Sequence, residues 1–68
     1  MHTDLELKAP PGKFRVVGVD TFDGTDWIEG DYNSLEECTR VAKRLGGNML
    51  KVHVYDDQRK HVFEAGTF

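Results

Sequence analysis

The chain has little that could brace or anchor it. Its 68 residues include one cysteine, two prolines and one tryptophan. A lone Cys38 excludes an internal disulfide and any thiolate metal cluster within one chain, and it fits a reducing cytoplasm. No apolar run is long enough for a signal peptide or a membrane span, and the opening MHTDLELKAPPGK is polar. Net charge is −3. That sign disfavours general binding to phosphate backbones and is too weak to mimic a polyanion. A chain this short folds as one domain and buries only about 60% of its unfolded surface. It has no room for a cleft between lobes.

The seven Phe, Trp and Tyr residues argue for a packed body. Residues 1–12 are polar, mix both signs of charge and end in Pro10-Pro11-Gly12, which reads as a flexible leader. The single small domain then spans 13–68. KFRVVGVD (13–20) is rich in β-branched residues and apolar on both alternation faces, as in a central strand. Gly18 inside it marks a bulge or a close approach by another segment. Asp23-Gly24 supplies turn chemistry, and DWIEGDY (26–32) returns as a second strand.

NSLEECTRVAKRLGG carries the strongest local signal. Ser34 and Glu37 form an S-x-x-E capping box, acids open the helix and bases close it. Leu35, Cys38, Val41, Ala42 and Leu45 make one apolar stripe. Gly46-Gly47-Asn48 ends the helix, where a left-handed cap is expected. MLKVHVYD (49–56) alternates cleanly, with Leu50, Val52 and Val54 against Lys51, His53 and Tyr55. KHVFEAG (60–66) follows a turn as the last strand.

The expected fold is α+β, in the order β-β-α-β-β: a four-stranded, mainly antiparallel sheet with one helix on one face. The crossover leaves room for one parallel pair. The expected core is Val17, Val19, Ile28, Leu35, Cys38, Val41, Leu45, Leu50, Val52, Val54 and Phe63.

VDTFDGTDWIEGDYNSLEEC followed by VHVYDDQRKHVFEAG resembles a group of short bacterial proteins sharing the pattern V-D-x-F-D-x-x-x-W-x-x-G-D-Y-x-S-L-E-E, then Y-D-D and E-A-G. The resemblance covers about Phe14 to Gly66. It implies a bacterial source and a small α+β domain, and it brings no activity and no site residue with it.

Five carboxylates fall between Asp20 and Asp31. A calcium loop needs oxygen ligands at its first, third and fifth positions. From Asp20 these are Phe22 and Gly24, from Asp23 Thr25 and Trp27, so the pattern fails. Catalytic carboxylates need unlike environments, and a polar hairpin offers none. A solvated hairpin is the expectation. Cys38 lies in the helix stripe and reads as a core residue rather than a nucleophile. His53 and His61 should lie opposite each other in the last hairpin, but two imidazoles do not complete a zinc shell and spacing marks no third ligand.

The helix covers one sheet face, so Lys51, His53, Tyr55 and Trp27 are the expected interaction surface on the other. The sequence therefore points to a non-catalytic protein-interaction module, with a protein partner or a second copy of the chain as its target. The alternative is a nucleic-acid-binding or regulatory accessory protein using that face and the basic helix end. No cofactor, metal or membrane is expected.

Overall fold

The computed structural model describes residues 6–66. Four strands and one helix follow the expected order: β1 (Phe14–Asp20), β2 (Thr25–Tyr32), α1 (Leu35–Leu45), β3 (Leu50–Tyr55) and β4 (His61–Ala65). They form one sheet in the order β2-β1-β3-β4, and every neighbouring pair is antiparallel. The crossover from β2 through α1 does reach a strand of like direction. β1 lies between the two, so no parallel pair forms.

Ser34 starts the helix in extended backbone, and its Oγ accepts from the Glu37 N–H at 3.2 Å. Glu36 and Glu37 open the helix, Lys43 and Arg44 close it, and both ends complement the helix dipole. Gly46 is not left-handed: it is extended, at φ −63°. A Cβ there would meet the Gly66 nitrogen at 2.9 Å and the Ala42 oxygen at 3.0 Å. Glycine is required by close approach to the end of β4, not by positive φ.

The core lies between α1 and one sheet face. It comprises Val16, Cys38, Val41, Ala42, Val52 and Val54, edged by Phe14, Tyr32, Leu45, Val62, Phe63 and Ala65. The expected core is corrected on β1 and β2. Val16 pairs with Val54, and Val17 with His53. Paired residues share a face, so Val16 faces the helix, while Val17 and Val19 face away; Val17 is buried as expected, at 2% exposure, but on the side without the helix. Apolar residues on both sides of this central strand hid the choice. Ile28 also leaves the core and is 38% exposed. The pairing steps from Val16↔Gly30 to Val17↔Ile28. Glu29 is thus an extra residue, and every side chain before it on β2 moves to the opposite face. Leu35, at the first helical position, is likewise 38% exposed.

The same bulge turns Trp27 toward the helix side. It pairs with Gly18, and a Cβ on Gly18 would stand 2.5 Å from the indole. The glycine is the floor on which the ring lies. Trp27 therefore does not join Lys51, His53 and Tyr55.

The expected leader contacts the domain at Glu6, Ala9 and Gly12. Ala9 is 2% exposed, and its N–H donates to the Asp56 carbonyl at 3.1 Å. The Gly12 N–H donates to Asp57 Oδ2 at 2.8 Å, and Arg15 Nη1 donates to the Glu6 carbonyl at 2.7 Å. Residues 1–5 lie outside the described residues.

Two substitutions test these packing statements. Ser34→Ala should lower stability by about 1 kcal/mol, read as a lower urea midpoint at unchanged slope. Gly18→Ala should displace the indole, cost about 1 kcal/mol or more through overpacking, and shift tryptophan emission to the red. Unchanged emission would mean that the ring does not lie on Gly18.

Candidate functional site

The face away from the helix is laid out in rows by strand pairing. One row runs Asp31, Arg15, Tyr55, His61; the next runs Ile28, Val17, His53, Glu64. Lys51 lies beside Val19 in the third. Three of the four expected surface residues, Lys51, His53 and Tyr55, share this face. Trp27 is on the other.

Four of the charges on this face form two ion pairs. Arg15 Nε donates to Asp31 Oδ1 at 2.8 Å and Nη2 to Oδ2 at 3.1 Å, a two-point clamp. That bond, above all, raises the Arg15 pKa. Lys51 Nζ lies 3.1 Å from Glu64 Oε2. Hydrogen bonding to Lys51 is the largest cause holding the Glu64 carboxyl below its ordinary range.

Three rings gather at the β3–β4 edge. His53 and His61 centroids are 5.0 Å apart, Tyr55 and His61 5.4 Å, and His53 and Tyr55 6.4 Å. His53 Nδ1 faces His61 Nε2 at 3.0 Å. Glu64 Oε1 completes the group, 3.7 Å from the first nitrogen and 3.6 Å from the second. Burial, and next the neighbouring His61, lower the His53 pKa. Burial raises that of Tyr55.

Spacing could not have marked Glu64. On a regular strand, residues three apart point to opposite faces. Here the pairing steps from Val54↔Phe63 to Tyr55↔His61, so Val62 is an extra residue. This second bulge brings His61 and Glu64 onto one face. Among the described residues, His53, His61 and Glu64 are the one group of three His, Cys, Asp or Glu whose ligand atoms all lie within 4.8 Å of one another.

The acidic hairpin forms no such group. Asp20 Oδ1 accepts from the N–H groups of Phe22 and Asp23 at 2.9 and 3.3 Å. Glu29 Oε1 accepts from the Trp27 indole at 3.0 Å, and Asp31 is held by Arg15. Asp20, Glu29 and Asp31 thus serve the turn and the sheet separately, and the hairpin carboxylates do not converge.

The basic helix end borders a shallow depression lined by Tyr32, Glu37, Arg40, Val41, Lys43 and Arg44. It lies on the helix side, whereas Lys51 and Tyr55 face away from the helix. These two parts of the expected nucleic-acid surface are on opposite sides of the sheet.

Cys38 is fully buried, and its Sγ lies 3.8 Å from the Phe14 carbonyl. Burial, then the charges of Glu37 and Asp31, push the thiol up to about 11. At neutral pH it is a protonated core group. A disulfide reagent should therefore label Cys38 only as the chain unfolds, at a rate that follows urea concentration. Stoichiometric labelling of the native protein within seconds would contradict this placement.

No helix among the described residues is long and apolar enough to cross a membrane. Compared with protein-family models, curated proteins and solved structures, the chain matches none.

Proposed function

We propose that this protein is a non-catalytic interaction module whose contact surface is the helix-free sheet face, and that its partner is a second copy of the chain. The observation that carries the reading is the make-up of that face. Tyr55 stands among the rings of His53 and His61, with the exposed Ile28 in the adjoining row, and Arg15, Asp31, Lys51 and Glu64 around them are already paired within the chain. An aromatic centre with a satisfied polar surround is the usual anatomy of a protein interface. Covering its centre leaves these two ion pairs intact.

Self-association is favoured by the distribution of charge. The face carries Arg15 and Lys51 alongside Asp31 and Glu64, so a two-fold arrangement can set each sign against its opposite. The edge strands are poorer candidates. β2 and β4 both carry a bulge, a feature that discourages edge-to-edge pairing.

Tyr55→Ser removes the central ring and spares the ion pairs. A change at Lys51 would instead leave Glu64 without its cation. Sedimentation velocity of the full chain, in a chelating buffer and over a wide concentration range, should show association for the parent. Tyr55→Ser should stay monomeric while keeping its amide dispersion. A parent that is monomeric throughout, or a variant that associates like the parent, overturns the proposal.

A further inference from the structure

We propose that His53, His61 and Glu64 form a binding site for one late first-row divalent ion, of which zinc is the best fit. The site lies on the same sheet face as the self-association proposed above, but it needs only one chain.

The geometry comes first. Ions of this kind hold imidazole nitrogen and carboxylate oxygen at about 2.0–2.2 Å, which at tetrahedral angles sets neighbouring ligand atoms roughly 3.3–3.6 Å apart. The three separations here are 3.0, 3.6 and 3.7 Å. The ligand triangle is thus formed to within a few tenths of an ångström. It stands on two hydrogen-bonded strands, β3 and β4, rather than on loops, so little conformational entropy remains to be lost on binding.

The donors set the class of ion. Two imidazoles with one carboxylate suit zinc, copper or nickel. Calcium and magnesium take oxygen shells and gain little from ring nitrogens. His53 would bind through Nδ1 and His61 through Nε2. In the empty site these two nitrogens can share only one hydrogen between neutral rings. On binding, that hydrogen moves to the remote nitrogen of its own ring by exchange with water, leaving the proton count unchanged.

Lys51 supplies the outer support. Its ammonium holds Glu64 Oε2 and leaves Oε1 turned toward both imidazoles, as carboxylate ligands are commonly oriented by a second hydrogen bond. Its positive charge also opposes a cation. Three protein ligands leave a fourth position, and His61 and Glu64 are 41% and 46% exposed at the side chain, so that position opens to solvent. The result is an accessible, exchanging site rather than a closed structural one.

Isothermal titration of zinc chloride into the full chain, after removal of metal by chelation and dialysis, tests the proposal. Saturable binding of one ion per chain is expected, with no saturable heat from magnesium or calcium. His53→Gln, His61→Gln and Glu64→Gln should each weaken zinc by at least the roughly tenfold that loss of even an outer-shell partner costs. His2→Gln should leave it unchanged. Should a variant fail to fold, ring-nitrogen NMR on the parent decides instead: zinc should shift His53 Nδ1 and His61 Nε2. Non-saturable binding, half an ion per chain, affinity indifferent to these substitutions, or unshifted ring nitrogens would overturn the site.

Discussion

Two extra residues in the sheet, Glu29 on β2 and Val62 on β4, determine which side chains can meet. A strand alternates its side chains between two faces, and one inserted residue exchanges those faces for everything on one side of it. On β2 this sends Ile28 away from the helix and lays Trp27 over Gly18. On β4 it brings His61 and Glu64 together beside His53. The single helix supplies the other constraint. Its stripe covers Val16, Val52 and Val54, leaving the opposite face to cover itself.

That face does so by pairing. Arg15 is clamped by Asp31, Lys51 meets Glu64, and the two histidines meet each other. Val17 is 2% exposed on the side without a helix, between Ile28 and His53 in its row. A face whose polar groups are already satisfied is soluble when bare and loses little when covered. A face with a ready ligand triangle can also take an ion without rebuilding its backbone. Both proposals rest on the same property: the groups are held in place before any partner arrives.

Some of this was legible in the sequence. Helix signals are local, so the capping box at Ser34, the apolar stripe and the charged ends place α1. Leu50 to Tyr55 alternates without interruption, and its faces are assigned correctly. Gly18 marks a bulge or a close approach in the sequence, and the indole of Trp27 makes it the second. What could not be read depends on pairing. Val16 and Val17 are equally apolar, so a central strand gives no internal sign of which faces the helix. Neither bulge announces itself in composition. On a regular strand Glu64, three residues after His61, would point to the opposite face, so spacing marks no third ligand. Gly46 looked like a left-handed cap and is glycine for want of space.

The His53–His61–Glu64 triad depends on the register of the last hairpin, which NOE spectroscopy on labelled protein measures directly. Cross-peaks from the His53 ring to both the His61 ring and the Glu64 γ-protons are predicted, with Tyr55 opposite His61. Cross-peaks from His53 to Glu64 alone, with His61 turned to the helix side among Leu45 and Phe63, would mean that Val62 is not a bulge and that the triad does not exist.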